Sequence, residues 1–389
     1  MEPNLSREEI IRYSRHILLP QVGLTGQQKL KHASVLILGT GGLGSPAAMY
    51  LAAAGVGHIG LVDFDSVDTS NLQRQIVHSH AQLGTPKVES ARQRLLQLNP
   101  SIDVIPYNEP FTSDNARRIL YDYGHAGYDV LLDCSDNFAT RYLTNDLCVL
   151  EGKPNVFGAI SRFDGQASVF DARRGPCYRC LFPEPPAPGT VFSCAVTGVL
   201  GVLPGVIGTI MATEAIKLIL DIGEPLIGRL MLYSALDMTF DFVKLRKNPH
   251  CNICSPNAPV QDLVDYEMFC GTAKIGSPSD TTLQEWDISA QELYQRLQSD
   301  TPPLVIDVRE PQERQILFLP GSINVPSAEL SQYIEGQDRE KEIVVLCRSG
   351  QRSARAREQM ALAGFKRVYN LKGGILAWAN EIEPALPVY

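Results

Sequence analysis

The chain has 389 residues, 44% of them apolar and 20% charged, and carries a net charge of −8. This is the composition of a folded globular protein with more chain than one ordinary core needs. The acidic balance excludes nucleic acid as the main partner. Nine cysteines, an odd number, stand in a chain whose N-terminus is polar and has no apolar leader; this points to a cytoplasmic protein that uses thiols or a metal, not a disulfide framework.

In chain order, Ser6-Arg7-Glu8-Glu9 has the form of a capping box and opens a short helix toward His16. Ala33 to Gly39 reads as a buried strand, Ser45 to Ala54 as a helix and Ile59 to Phe64 as a second strand, together a βαβ unit with parallel strands. Lys87 to Leu98 is a charged helix, Tyr128 to Cys134 a buried strand, and Lys153 to Ala159 and Gln166 to Phe170 are further strands. Residues 183–189 are a proline-rich extended loop. The twenty uncharged residues from Cys194 to Thr213 are long enough to cross a bilayer. They carry glycines and Pro204, lack a basic flank or aromatic belt, and run straight into Glu214, so a buried helix and no membrane are expected. A linker is expected over 256–283, after which strand and helix patterns restart: Leu304 to Val308, Ile343 to Leu346, then a helix from Ser353 to Ala363. The expected domains are therefore 1–255 and 284–389, both α/β.

Gly39-Thr40-Gly41-Gly42-Leu43-Gly44 fits G-x-G-x-x-G between a strand and a helix, where free amides and the helix dipole hold phosphates. Gly39, Gly41, Gly42 and Gly44 are candidate nucleotide-binding positions, with Asp63 placed to bond a ribose hydroxyl and Asp65 beside it. These features suit a nicotinamide cofactor as well as ATP. Arg74 and Lys87 shift the balance, because two cations near the phosphates serve a triphosphate better than a pyrophosphate bridge. Asp136, in Ser135-Asp136-Asn137 beyond a parallel strand, is placed to hold Mg²⁺.

The set GTGGLG, Asp63-Phe64-Asp65, Ser70-Asn71-Leu72-Gln73-Arg74-Gln75, Pro86-Lys87 and Cys134-Ser135-Asp136-Asn137 resembles the MoeB/ThiF family over about residues 5–255. The resemblance implies a Rossmann-like adenylation domain of the ubiquitin-activating-enzyme type. It implies ATP binding at Gly42, Asp63, Ser70, Asn71, Leu72, Gln73, Arg74, Lys87, Asp136 and Asn137. It further implies a homodimer in which Arg15, otherwise a plain surface residue, reaches the neighbouring site. The implied reaction makes a C-terminal carboxylate into an acyl-adenylate, since oxide is a poor leaving group and AMP a good one. Cations and positioning do most of that work, with Lys87 and Arg74 stabilising charge.

Cys177-Tyr178-Arg179-Cys180 and Cys251-Asn252-Ile253-Cys254 are two C-x-x-C pairs, a thiolate set for structural Zn²⁺. A redox C-x-x-C is the rival reading. The zinc site is expected to pin the end of the first domain to its middle, away from the chemistry. Cys194 follows the proline loop and could capture an acyl group or resolve a disulfide; in the family this position matches a cysteine proposed for either role. Cys134, Cys148 and Cys270 read as ordinary small residues.

Cys347 lies between an apolar strand and a helix in Cys347-Arg348-Ser349-Gly350-Gln351-Arg352. Loop amides and the helix N-terminus would stabilise an anionic sulfur, with Arg348 and Arg352 adding positive charge. With Val305 to Glu310, Pro320-Gly321-Ser322-Ile323-Asn324 and Leu371-Lys372-Gly373-Gly374, this loop resembles the rhodanese domain over 284–389, whose cysteine carries a persulfide. A phosphatase loop is longer by one residue between cysteine and arginine.

The two resemblances together imply a sulfurylase of the molybdopterin-synthase type, needing ATP, Mg²⁺ and Zn²⁺. Its partner would be a ubiquitin-like sulfur carrier (MoaD/ThiS-like) ending in Gly-Gly, and its sulfur source a persulfide or thiosulfate. The carrier's pathway could be molybdopterin, thiamine, tRNA thiolation or another. Two other readings stand beside it: an NAD-dependent oxidoreductase using the same glycine turn, and a noncatalytic zinc-stapled binding module.

Overall fold

In the computed structural model, which describes residues 5–186, 198–271, 286–384 and 386, the chain divides into two units, Met1–Ala273 and Lys274–Tyr389. Apolar runs build the sheet of the first unit: β1 (Ser34–Leu38), β2 (His58–Val62), β3 (Asp103–Tyr107), β4 (Val130–Asp133), β5 (Asn155–Ser161), β6 (Asp164–Phe170), β7 (Arg229–Ser234) and β8 (Thr239–Lys244). Their order is β3-β2-β1-β4-β5-β6-β7-β8. β3 through β5 are parallel and the last three are added antiparallel. All five residues of β1 are buried, as a parallel strand covered on both faces requires. One face is covered by helices Gly44–Ala54, Lys87–Leu98 and Leu203–Leu220. Helices Ala116–Tyr121 and Phe138–Leu150, with Tyr178 and Tyr266, cover the other.

The uncharged stretch behaves as a core element. Its helix runs Leu203–Leu220, well beyond Glu214, and half of its most apolar window is buried in this unit. Gly208 explains the glycines there: a β-carbon would lie 2.5 Å from the Leu43 carbonyl oxygen, so only glycine lets this helix close on Gly44–Ala54. Glu214 is buried, and its carboxylate accepts the Leu226 N–H at 2.7 Å.

Three sequence expectations change. Residues 256–271, read as the start of a linker, belong to the first unit: helix Tyr266–Phe269 packs on helix Phe138–Leu150, and the Tyr266 hydroxyl donates to Asp146 at 2.7 Å. The N-terminal helix breaks at Tyr13 into Arg7–Arg12 and Ser14–Ile17, the first opened by the expected capping box. Strands β3, β7 and β8 were not foreseen. β3 contains Pro106 and β8 is exposed throughout, so neither carries the apolar signature of a central strand, and both lie at sheet edges.

The second unit has its own parallel sheet, β11-β10-β12-β13-β9, from β9 (Asp287–Ile288), β10 (Leu304–Asp307), β11 (Ile323–Asn324), β12 (Ile343–Leu346) and β13 (Val368–Leu371). Helices Ala290–Leu297 and Gly374–Glu381 pack in one core and Leu330–Ile334 and Gln351–Leu362 in another. A fully buried ion pair braces the end of β10: Arg309 donates to Asp307 at 2.7 and 2.9 Å and to the Leu317 carbonyl at 2.7 Å.

Candidate active sites

β2 and β3 extend the first sheet to one side of β1, and β4 and β5 to the other, so the crevice between β1 and β4 is a topological switch point, the usual ligand position in such sheets. The glycine turn leaves β1 there. Gly39 has φ +94°, and a β-carbon on Gly44 would lie 1.9 Å from the Gly39 carbonyl oxygen, so both glycines are fixed by the turn itself. The turn opens on a cavity of about 980 Å³, ample for a nucleotide and part of a second substrate.

Of the expected nucleotide residues, Gly39, Gly41, Gly42, Asp63, Asp65, Arg74, Lys87, Asp136 and Asn137 line that cavity. Gly44, Ser70, Asn71, Leu72 and Gln73 do not. Their work is local. Ser70 donates its N–H and hydroxyl to Asp68 at 2.8 and 2.6 Å, which starts a short 3₁₀ turn. Asn71 accepts from Arg74 and Gln75, at 3.2 and 3.1 Å, and so aims those two side chains. Asn137 is likewise engaged as a helix cap, accepting the Thr140 N–H at 2.8 Å.

The charges are paired more than the sequence suggests. Lys87 is buried and its Nζ lies 2.8 Å from Asp65 Oδ2. Asp63 accepts the Thr40 N–H and hydroxyl at 2.9 and 3.0 Å and the Asp65 N–H at 3.0 Å, so it shapes the turn as well as facing the cavity. Asp136 is exposed in the cavity and makes no hydrogen bond or ion pair among the described residues.

The sequence reading missed Arg141 and Gln75 in the cavity wall. Arg141 lies over the rings of Phe138 and Phe157, 5.5 Å from each centroid, and donates to the Ser135 carbonyl at 3.2 Å. Beside it Asp133 is fully buried, and burial pushes its carboxyl above the ordinary range. Gln75 is 4% exposed and its Oε1 has no hydrogen-bond partner among the described residues. The available signals were an arginine among the buried residues of a helix and a glutamine next to Arg74. Tyr178, inside the first cysteine pair, also lines the cavity, although none of the four cysteines does. Arg15 is exposed and is not among the residues lining this cavity. Cys194 lies outside the described residues.

Cys177, Cys180, Cys251 and Cys254 converge, all four sulfurs lying within 4.8 Å of one another. The shortest separations are 3.4, 3.5 and 3.8 Å. Four thiolates about 2.3 Å from a central ion would stand roughly 3.8 Å apart, so the set can hold a tetrahedral metal. The Asn248 N–H donates to Cys180 Sγ at 3.3 Å, as a backbone amide does to a charged sulfur. Arg179 anchors this knuckle through a buried bidentate pair with Asp146 at 2.7 and 2.8 Å, with the Tyr142 and Phe269 rings against its guanidinium.

In the second unit Cys347 follows the last residue of β12 and is 1% exposed. Its Sγ accepts the Gly350 N–H at 3.2 Å and the Ser353 hydroxyl at 3.3 Å. The following helix starts at Gln351, two residues earlier than expected, and places Arg352 in its first turn. There Arg352 forms a two-pronged pair with Glu313, 2.7 Å on each prong, so it braces the loop instead of adding an uncompensated charge. The loop therefore solvates one sulfur mainly with an amide and a hydroxyl at a helix start.

Residues 13–253 match the ThiF family and residues 289–381 the rhodanese-like domain. Over its whole length the chain is 43% identical to adenylyltransferase and sulfurtransferase MOCS3-1 of Drosophila pseudoobscura pseudoobscura, covering 87% of that protein. It is 44% identical, over 99% of its length, to the probable adenylyltransferase/sulfurtransferase MoeZ of Mycobacterium tuberculosis, covering 96% of it. The solved structure of E. coli MccB with ATP is similar at 25% identity and a TM-score of 0.53, over 65% of this chain and 76% of that one.

Fold and sites together define a two-part α/β transferase, a nucleotide-binding unit joined to a sulfur-handling one. The chain belongs to the ThiF family and, with its rhodanese-like domain, is an adenylyltransferase and sulfurtransferase.

Proposed function

We propose that the enzyme adenylates the C-terminal glycine of a ubiquitin-like sulfur carrier and converts it to a thiocarboxylate with sulfur carried on Cys347. The observation that carries this reading is one chain holding both a switch-point cavity with Arg74, Lys87 and Asp136 in its wall and a buried thiol solvated by Gly350 and Ser353.

The Gly41 and Gly42 amides and the Arg74 and Lys87 cations would hold the triphosphate. Lys87 would exchange Asp65 for phosphate oxygens. Asp136 would hold Mg²⁺, which when bound neutralises phosphate charge. The carrier carboxylate attacks the α-phosphorus, pyrophosphate leaves, and an acyl-adenylate results. The terminal sulfur of a Cys347 persulfide, loaded from thiosulfate or another persulfide, attacks the acyl carbon and expels AMP. This gives an acyl disulfide on Cys347. A thiolate, from Cys194 or an outside thiol, then attacks Cys347 Sγ and releases the thiocarboxylate. The disulfide left behind needs two electrons from an external dithiol to reset. The alternative order places the acyl group first on Cys194 as a thioester.

The four-cysteine set would hold Zn²⁺, which would cross-link the chain at two distant points and fix the turn that bears Tyr178. The enzyme would act in the cytoplasm as a homodimer, with Arg15 completing the neighbouring site.

The test incubates candidate Gly-Gly carriers with ATP, Mg²⁺, thiosulfate and a dithiol reductant, then weighs the carrier by mass spectrometry. A gain of one sulfur in place of one oxygen in the wild type, lost in Cys347→Ala, is expected. The same gain in both proteins would remove Cys347 from the reaction.

A further inference from the structure

His78 occupies a junction that the reaction scheme does not use. It is 7% exposed, three residues beyond Gln75 and four beyond Arg74. Its Nε2 lies 3.1 Å from the Thr40 carbonyl oxygen and its Nδ1 2.9 Å from Ser90 Oγ. Thr40 is the second residue of the glycine turn, and Ser90 lies on the helix that begins with Lys87. One imidazole thus joins the turn, the segment bearing Arg74 and the helix bearing Lys87.

Because a carbonyl oxygen only accepts, Nε2 carries a proton. Burial, helped by the Lys87 charge, holds the imidazole pKa below its ordinary value, against opposing contributions from the Thr40 carbonyl bond and Asp63. With Nε2 donating to the Thr40 carbonyl, Nδ1 faces Ser90 Oγ, whose hydroxyl donates to Gln82 Oε1 at 2.8 Å.

The consequence for the turn follows from peptide geometry. Asp63 already takes the Thr40 N–H and hydroxyl, at 2.9 and 3.0 Å. His78 supplies the shorter of two bonds to the remaining polar atom of Thr40, its carbonyl, which also accepts the Ser45 hydroxyl at 3.4 Å. In a trans peptide the carbonyl and the next N–H point in opposite directions. Drawing the Thr40 carbonyl toward His78 therefore turns the Gly41 N–H the other way. That N–H makes no backbone hydrogen bond among the described residues, and Gly41 lines the cavity.

We propose that His78 is a positioning residue for nucleotide binding: by holding the Thr40 carbonyl it aims the Gly41 amide at the bound phosphates and keeps Arg74 and Lys87 in register with the turn. This rests on the cavity being the ATP site.

The experiment measures MgATP binding to the full-length protein by titration calorimetry, without any carrier. Two isosteric half-replacements separate the bonds. In His78→Gln the side-chain amide can reach the place of Nε2 and keep the Thr40 bond. In His78→Asn it matches Nδ1 and keeps only the Ser90 bond. His78→Gln is expected to bind MgATP within about threefold of wild type, and His78→Asn at least about tenfold more weakly, the scale of one lost buried hydrogen bond. Pyrophosphate exchange with a carrier should show the loss in KM for ATP and much less in kcat. Sulfur transfer from thiosulfate to cyanide, which needs only the second unit, should be unchanged in both variants, and a thermal unfolding midpoint of the first unit within a few degrees of wild type reports that the mutated unit is intact. Wild-type affinity in His78→Asn, or equal weakening in the two variants, would overturn the proposal. Failure of the wild type itself to bind MgATP would instead remove the reading of the cavity on which it rests.

Discussion

The two reactive loops share a plan and differ in what surrounds it. Each leaves the C-terminal end of a central parallel strand, turns on glycine with positive φ and feeds a helix N-terminus. The glycine turn faces about 980 Å³ of cavity with Arg74, Lys87 and Arg141 in its walls. The thiol loop closes on a single sulfur that is 1% exposed, and its Arg352 is locked to Glu313. A polyanion needs distributed cations and room for a second substrate; one sulfur needs a small ring of donors. The same backbone device serves both, and the residues outside the loop set the size of the anion.

The strongest way to break this division is to remove the sulfur. Cys347→Ala should lose thiosulfate–cyanide sulfur transfer by at least about a thousandfold, while ATP–pyrophosphate exchange continues. Loss of both together would mean that the loops are not independent. Next, Asp136→Ala and Lys87→Ala should lower pyrophosphate exchange by about 10²- to 10³-fold, as expected for groups that stabilise transferring phosphate, with cyanide-dependent transfer intact.

Metal removal probes how much the wall of the first cavity owes to the cysteine knuckle. Cys251→Ser should abolish bound zinc by elemental analysis and lower the melting temperature of the first unit by about 5 °C or more. Unchanged zinc content and melting would reduce the four sulfurs to a chance cluster.

Ser353→Ala sharpens the second loop. Loss of one hydroxyl donor to the sulfur should slow sulfur loading by about three- to tenfold, read as the single-turnover rate with thiosulfate. The smallest effect concerns acid. Burial pushes the Glu313 carboxyl up, but the Arg352 pair outweighs it and the net value lies below the ordinary carboxylate range. The stability this supplies is present above the unfolded value of about 4.3 and is lost as pH falls through the folded value. Glu313→Gln should therefore flatten the acid limb of the stability profile of the second unit, measured by denaturant unfolding between pH 7 and 3. An identical acid limb would show that the pair carries no such linkage.

Much of this was legible in the chain because it is written locally. The strand, glycine turn and helix around residue 40, the two C-x-x-C pairs and the loop from Cys347 to Arg352 depend on neighbours a few residues apart. The motif at Ser70–Arg74 was legible as a motif but not in its division of labour: Arg74 faces the ligand cavity, while Ser70 and Asn71 build the turn that aims it. Helix Tyr266–Phe269 looked like linker because its four residues carry no periodic signal of their own; it is held by Asp146, some 120 residues earlier.

The sequence by itself determined the two α/β units, the positions of both reactive loops and the four thiols that converge. Hydrophobic runs, glycines and short spacings act over one turn or one strand, and such signals survive without knowledge of the fold. Tertiary structure alone decided which charges are spent on one another. Lys87 meets Asp65, Arg352 meets Glu313 and His78 meets Thr40 and Ser90. Each pairing spans 12 to 39 residues, and a charge or a donor announces its chemistry in the sequence but not the partner that the packed chain brings to it.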